Sequence, residues 1–126
     1  MHFPSDLYYT REHEWLRLIS PTEAYVGITD FAQSQLGDIV FVDIPTVGQT
    51  LQAGSVFGTV EAVKTVSDLY LPVSATILEK NSLLESQPEK VNQDPYGEGW
   101  MIRIRLEKPA EVETLLRAEA YQALLG

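Results

Sequence analysis

The primary amine of Lys64 is the side chain in this sequence best suited to chemistry. Two runs in which apolar residues alternate with others, residues 56–61 and 69–73, flank it, and a period of two is typical of β-strands. Lys64 lies at the centre of the connection from Glu61 to Ser67, which predicts a β-hairpin with this lysine at its tip. A loop lysine alone is most simply a solvated charge. At a hairpin tip, however, the amine is exposed and held at a fixed height, as the attachment of a swinging prosthetic group requires.

Carboxylates form the second candidate group. Glu12, Glu14, Glu61 and Asp68 are expected near one end of the hairpin. In so acidic a chain the default interpretation of each is a solvated surface charge.

Other kinds of chemistry lack their residues. The chain has no cysteine, which excludes disulfides, thiolate catalysis and thiolate metal sites. Neither His2 nor His13 stands at metal-ligand spacing from another strong ligand, and we expect His13 to pack or hydrogen-bond beside Trp15. No nucleophile elbow surrounds Ser67, and no glycine-rich turn opens a helix after a strand. Without a complete active site, an enzyme is the weakest interpretation.

Composition limits the remaining classes of function. The 126 residues, of which 44% are hydrophobic, predict one domain, 1–126, with a core of about 7–125. The net charge of −9 argues against nucleic acid and anionic membrane surfaces as partners, because binding phosphates requires clustered Lys and Arg. No run approaches the roughly 18 apolar residues of a membrane-spanning helix. The first residues do not resemble a signal peptide or an organelle presequence, so we expect a cytoplasmic protein.

Short strands separated by turns run through the sequence. Strands are predicted at residues 7–10, 15–19, 23–28, 39–44, 75–79 and 100–106. Thr29 and Asp30 resemble a helix N-cap and Gly37 a left-handed stop, which predicts one short helix between strands. Pro109 suits the first turn of a second helical segment, and an apolar stripe over 115–125 predicts a C-terminal helix.

Residues 87–99 contain two prolines and two glycines and are predicted to form a loop. Within it, residues 95–100 are expected to be pinned to the core by Trp100, with a docking surface as the alternative. Asn81 is expected to cap a short turn. Many short strands with peripheral helices predict a mostly β fold, either a flattened sandwich or a barrel.

Several long motifs resemble the glycine cleavage system H protein family. The resemblance covers residues 7–125, nearly the whole chain, and it is highly specific. Its matching stretches are residues 9–15, 26–33, 36–42, 57–64, 67–70, 72–74, 91–100 and 118–121.

The resemblance implies a hammerhead-like, flattened β-sandwich of the lipoyl/biotinyl-carrier type, with lipoate in amide linkage to Lys64. That linkage would remove one positive charge from the chain. The protein would be a non-catalytic carrier that passes the aminomethyl group of glycine between other proteins. Its implied partners are a pyridoxal-phosphate glycine decarboxylase, an aminomethyltransferase, a flavin-dependent dihydrolipoyl dehydrogenase, and the lipoate ligase or lipoyl/octanoyl transferase that modifies the lysine.

The resemblance also implies a surface cleft that shelters the loaded arm. Because the cargo carries an ammonium group, carboxylates near Lys64 are its natural partners, and we expect Glu14, Asp68 and Glu12 to line this cleft. The chain departs from the family pattern at Ala62 and Thr65, which leave the lysine in place. It also has Ala75 where the family usually has Gly, which would cost on the order of 1 kcal/mol if the backbone there required a positive φ.

Three alternatives remain open at this point. A lipoyl relay would hand lipoate to other complexes. A biotin carrier would use the same lysine, but it expects Met on both sides, where this chain has Val63 and Thr65. An interaction module would keep the fold with Lys64 unmodified. Sequence alone leaves the oligomeric state undetermined.

Overall fold

Nine short antiparallel strands, together with helical turns, make up the computed structural model, which describes residues 1–126. The strands are β1 (Tyr8–Tyr9), β2 (Glu14–Leu18), β3 (Glu23–Ile28), β4 (Ile39–Asp43), β5 (Thr50–Leu51), β6 (Val56–Ala62), β7 (Val66–Tyr70), β8 (Ala75–Lys80) and β9 (Ile102–Leu106). The helices are α1 (Asp30–Leu36), α2 (Leu83–Ser86), α3 (Lys90–Gln93) and α4 (Ala118–Leu125), with a 3-10 helix at Pro109–Thr114. No helix is long and apolar enough to cross a membrane.

The strands form two sheets. The larger has six strands in the order β1-β2-β3-β9-β8-β5, and the smaller has three in the order β4-β6-β7. Strands β3 and β9, which are far apart in sequence, pair in the register Tyr25↔Arg103. The mostly β fold with short helices and a C-terminal helix, predicted from the sequence, is confirmed.

Two apolar clusters hold these layers together. The main core contains buried residues from the larger sheet, such as Val26 and Ile104, and from the smaller sheet, such as Val60 and Leu69. A second cluster packs α4 against β1 and β2 and consists of Leu7, Tyr9, Trp15, Tyr96, Ala118 and Tyr121. The C-terminal helix is therefore joined to the strands that begin the chain.

Most predicted elements are confirmed, and the differences have local causes. The strand predicted at 23–28 has those bounds, and the Thr29 side chain caps α1 by accepting a hydrogen bond from the Ala32 amide. The first strand shortens to two residues, and β7 ends at Tyr70 because Pro72 follows. The segment after Pro109 is a 3-10 helix.

The prediction of an unbroken loop over residues 87–99 is wrong, because α3 lies within it. Four helical residues are too few to produce a visible period in the sequence. The energetic cost considered for Ala75 does not arise, because Ala75 does not have a positive φ; His13 is the only non-glycine residue that does. Ala75 lies instead in regular β-strand, opposite Leu106.

Candidate functional site

Lys64 lies at the middle of a three-residue connection between β6 and β7. The connection is closed by a hydrogen bond that the Ala62 amide donates to the Thr65 carbonyl at 2.7 Å. The connection between the strands is shorter than predicted, because the pairing of β6 with β7 continues to Glu61↔Val66. Lys64 is exposed, and its neighbour Val63 is 76% exposed. The amine is thus available to another protein on a short, tightly closed tip.

The hairpin tip leans on the segment that follows α1. The Val63 amide donates to the Asp38 carbonyl at 3.1 Å. A Cβ atom on Gly37 would lie 3.5 Å from Lys64 Cε and 3.8 Å from Lys64 Nζ, so the lysine stem passes over this glycine. Gly37 has φ +80° and ψ −159°, a backbone conformation that is essentially restricted to glycine. The predicted helix stop therefore also forms the surface under the lysine.

A cleft of about 320 Å³ opens beside this segment, between α1, β7 and the turn before β2. Half of its lining is apolar, consisting of Ile28, Phe31, Ala32, Leu36, Val60 and Leu69. The other half is polar, consisting of Glu12, His13, Glu14, Gln35, Ser67 and Asp68. Lys64 is outside the lining, but its stem covers Gly37, the residue next to the cleft wall at Leu36. A flexible group attached to Lys64 would start at the end of this cleft.

Glu14 is the buried carboxylate of the cleft, with 2% of its surface exposed. The Thr10 hydroxyl donates to its Oε1 at 3.1 Å, and the Tyr70 amide donates to its Oε2 at 3.3 Å. Both donors are neutral, and no cationic side chain pairs with it. Burial raises the pKa of Glu14 to about 8, although the two hydrogen bonds act in the opposite direction. Glu14 is therefore mainly protonated at neutral pH.

The structure brings together three of the four carboxylates that the sequence grouped. Glu12, Glu14 and Asp68 all line the cleft, whereas Glu61 does not. Glu61 is exposed, and alternation along β6 explains the difference, because its neighbours Val60 and Ala62 point into the core. The cleft therefore contains one buried and two more accessible acidic groups.

His13 joins the cleft to the C-terminal helix. It has φ +74°, and its Nδ1 shares a 2.8 Å hydrogen bond with the Tyr121 hydroxyl. Its ring lies 5.0 Å from that of Phe31, centroid to centroid. Burial lowers the pKa of His13, while Glu12 acts in the opposite direction. The expected neighbour, Trp15, instead donates from Nε1 to the Pro95 carbonyl at 3.0 Å.

The loop at residues 95–100 is pinned to the core, as predicted, but by more residues than Trp100. The Tyr96 ring is buried, and its hydroxyl accepts a hydrogen bond from the Asp30 amide at 2.9 Å and donates one to the His2 carbonyl at 2.7 Å. The Trp100 ring packs against that of Tyr25 with centroids 4.7 Å apart. The loop thereby supports the first residue of α1.

Sequence reasoning missed the wall that α1 contributes to the cleft. Phe31, Ala32, Gln35 and Leu36 line it, and none of them was singled out as a site residue. Their spacing of one, three and four residues is that of a single helical face, which was visible in the sequence. Their position opposite β7 depends on tertiary packing, and no local signal reports it.

Comparison with known proteins gives the same family that the sequence motifs resemble, and the match runs along nearly the whole chain. The family model described as glycine cleavage H-protein matches residues 7–126. The glycine cleavage system H protein of Bacteroides thetaiotaomicron is 61% identical over 126 residues, covering 100% of this chain and 99% of the relative. That of Salinibacter ruber is 60% identical over 121 residues, covering 96% and 97%.

A solved structure agrees with these sequence matches. The crystal structure of a glycine cleavage system H protein from Mycobacterium marinum superposes with a TM-score of 0.86 at 38% identity. The match covers 98% of this chain and 99% of the other. Both the sequence and the architecture therefore point to one family.

Proposed function

The chain belongs to the glycine cleavage H-protein family, and from this premise we propose that Lys64 is the residue to which its lipoyl group is attached. The family is the lipoyl-bearing carrier of the glycine cleavage system, and the protein is a carrier subunit, not an enzyme. A carrier accelerates successive steps by tethering, which raises the effective concentration of its cargo at each partner. The proposal treats residues 1–126 as one lipoyl-carrier domain.

The observation that carries the proposal is the position of Lys64, exposed on a three-residue tip and next to the end of the cleft. A modifying enzyme can reach the amine without opening the fold. The apolar half of the cleft lining suits the aliphatic chain of lipoate. When bound, lipoate supplies the sulfur that accepts the aminomethyl group of glycine. The residues present therefore fit the group.

We also propose that Glu14, Asp68 and Glu12 hold the ammonium group of the cargo. An amine buried without a counter-charge would lose its hydration and favour its neutral form. Glu14 has two neutral donors and no cationic partner, and a cation that enters the cleft would favour the charged form of this carboxyl and pair with it. The apolar walls limit water near that pair, which strengthens the electrostatic attraction. The proposed role of these side chains is retention of the cargo between partners.

The proposed partners are a pyridoxal-phosphate glycine decarboxylase, an aminomethyltransferase and a flavin-dependent dihydrolipoyl dehydrogenase. A lipoate ligase or lipoyl/octanoyl transferase would attach the arm. The proposal also keeps a cytoplasmic location, as the sequence led us to expect.

Peptide mass analysis after incubation with lipoate, ATP and a lipoate ligase tests the attachment site. We expect one lipoyl group, on the peptide that contains Lys64, and none on the Lys64→Arg variant. Lys80 is the matched internal control. It is also a lysine at the end of a β-strand, β8, but it does not lie on a hairpin tip, and its Nζ pairs with Glu85 at 3.0 Å. Lipoylation of Lys80, or no lipoylation at all, would defeat the proposal.

Glycine–bicarbonate exchange with the glycine decarboxylase tests the proposed partner. The lipoylated protein is expected to support exchange, whereas the unmodified protein and Lys64→Arg are not. Lipoylation at Lys64 without any exchange would remove the decarboxylase from the set of partners and favour a lipoyl relay.

A further inference from the structure

Asn92, in the short helix α3, binds three backbone or side-chain groups around the end of α1. Its Nδ2 donates to Gln33 Oε1 and to the Gly37 carbonyl, each at 2.9 Å. Its Oδ1 accepts from the Ile39 amide at 2.9 Å. One amide side chain therefore fixes the last turn of α1, the glycine after it and the first residue of β4 relative to one another.

The segment that Asn92 holds is also the support of the hairpin tip. Asp38 lies between the two backbone groups that Asn92 binds, and its carbonyl accepts the hydrogen bond from the Val63 amide at 3.1 Å. The stem of Lys64 lies over Gly37. Movement of residues 37–39 would consequently move the support of the tip through two separate contacts.

The same segment continues directly into the wall of the cleft. Gln35 and Leu36 line the cleft, and the Gly37 amide donates back to the Gln33 carbonyl at 3.0 Å. Gln33 is in turn held by Asn92. The cleft wall and the support of Lys64 thus belong to one continuous segment, residues 33–39, and Asn92 is the side chain of α3 that holds this segment by hydrogen bonds.

We infer that Asn92 is a positioning residue for Lys64, which sets the place of the hairpin tip relative to the end of the cleft. The inference on backbone position rests on the hydrogen bonds alone. Its consequence for a lipoyl arm rests on the proposed function: with the anchor and the wall fixed together, the arm starts from one defined point beside the cleft.

Asn81 provides a matched control for this role. Its Nδ2 donates to the Glu98 and Trp100 carbonyls at 2.7 and 2.8 Å, and its Oδ1 accepts from the Leu83 amide at 3.2 Å. It makes the same number of bonds through the same atoms as Asn92, but none of them reaches the segment under the tip. A general effect of removing a bridging asparagine would therefore be seen at both positions.

Amide hydrogen exchange of Val63 in the unmodified protein is the first test. Asn92→Asp keeps the acceptor and loses both Nδ2 donors, and the loss of such bonds is expected to speed exchange at Val63 about tenfold. Asn81→Asp is expected to leave that rate unchanged, and amides in the β3–β9 ladder should stay protected in both variants. Asn92→Ala, which adds no charge, is measured alongside.

Unchanged exchange at Val63 in Asn92→Asp and Asn92→Ala would overturn the inference, and so would equal acceleration by Asn81→Asp. Loss of protection throughout the β3–β9 ladder in both Asn92 variants would also overturn it, because Asn92 would then determine the whole fold.

The lipoylated protein provides the second readout. We expect the aminomethyl cargo to be lost several-fold faster from Asn92→Asp than from Asn81→Asp or the wild type. Failure of the proposed function can be told apart from failure of the inference on Asn92. If the chain is not lipoylated at Lys64, the proposed function is refuted, but the hydrogen-exchange result on the unmodified protein remains valid. Faster exchange at Val63 with unchanged cargo loss would refute the consequence for the arm.

Discussion

The Tyr121 hydroxyl and His13 Nδ1 share a 2.8 Å hydrogen bond although they are 108 positions apart in the sequence. The same hydroxyl lies 2.8 Å from Thr29 Oγ1, the N-cap of α1. His13 separates Glu12 from Glu14 and has the positive φ that few residues other than glycine adopt. The C-terminal helix therefore holds both His13, which lies between the two cleft carboxylates, and the start of α1, the helix that forms the opposite wall.

Tyr121→Phe tests this connection. Removal of the hydroxyl leaves His13 Nδ1 and Thr29 Oγ1 short of a partner, and we expect the free energy of unfolding in urea to fall by about 1–3 kcal/mol. Tyr25→Phe is the control, since the Tyr25 ring packs at a tilt of 47° against Trp100 and its hydroxyl makes no hydrogen bond within the protein, and its free energy of unfolding should change by less than about 0.5 kcal/mol. Equal losses in the two variants would contradict the assigned role of the hydroxyl.

Glu14→Gln is expected to change how stability depends on pH. The pKa of Glu14 is about 8 in the folded protein, above its ordinary value of 4.5. Below pH 4.5 both states are protonated and this group costs nothing. Between pH 4.5 and 8 the unfolded chain releases the proton and the folded protein retains it, so stability falls as pH rises, by at most about 1.4 kcal/mol per pH unit.

The Glu14→Gln variant lacks this titrating group, so its free energy of unfolding should lack the fall with pH that Glu14 causes in the wild type. The measurement is the difference in unfolding free energy between Glu14→Gln and wild type at each pH unit from 5 to about 10, on both sides of the folded pKa of about 8. We expect the difference to shift steadily in favour of the variant as pH rises, and then to level off above pH 8. Parallel curves for the two proteins would show that Glu14 does not retain its proton.

Retention of the cargo should depend on the cleft carboxylates. In the lipoylated and loaded protein at pH 8, Glu14→Gln and Asp68→Asn are each expected to speed loss of the aminomethyl group, about tenfold for Glu14→Gln because a charge-assisted hydrogen bond is lost in a buried site. Glu61→Gln removes an exposed carboxylate of the same hairpin that does not line the cleft and should leave the rate unchanged. Release of ammonia and formaldehyde measures the loss, and identical rates in all three variants would rule out the proposed role.

Gly37→Ala should lower the stability of the folded protein, because Gly37 has a backbone conformation that other residues rarely adopt. At φ +80° and ψ −159° an L-residue is disfavoured by about 1–3 kcal/mol, although the nearest atom to the new methyl group would be Lys64 Cε at an ordinary 3.5 Å. The cost therefore comes from the backbone and not from crowding. Thermal unfolding measures it, and an unchanged melting temperature would mean that the segment adopts another conformation without penalty.

Local sequence signals predicted the local parts of the site correctly. Thr29 at the start and Gly37 at the end of α1 are capping signals that act within a few residues, and the helix begins and ends at them. Gly37 has the positive φ expected of a left-handed stop, but its ψ of −159° differs from that of the αL conformation. The hairpin around Lys64 follows from alternation and is also confirmed, apart from its shorter connection. These features depend on neighbours in the sequence, which is why the sequence reports them.

The parts that sequence reasoning missed depend on distant neighbours. Nothing around Glu14 in the sequence signals that it is buried, and one of its two side-chain hydrogen-bond donors, the Tyr70 amide, is 56 positions away. The Asn92 clamp acts on a segment more than 50 positions away, and Tyr121 acts at a still greater separation. Side-chain type suggested which residues could matter, whereas tertiary packing determined which of them meet.

The pairing of β3 with β9 has a consequence for the order in which the molecule folds. Tyr25 cannot find Arg103 until most of the chain has been synthesised, and such long-range pairings form slowly. The β6–β7 hairpin closes within fewer than twenty residues. We therefore expect pulse-labelled exchange during refolding to protect the hairpin amides before those of the β3–β9 ladder. The hairpin with Lys64, the proposed attachment site, would then be ordered while the larger sheet, which supplies Glu14 and Ile28 to the cleft, is still incomplete. An enzyme that recognises only the hairpin could therefore modify Lys64 before the cleft has formed.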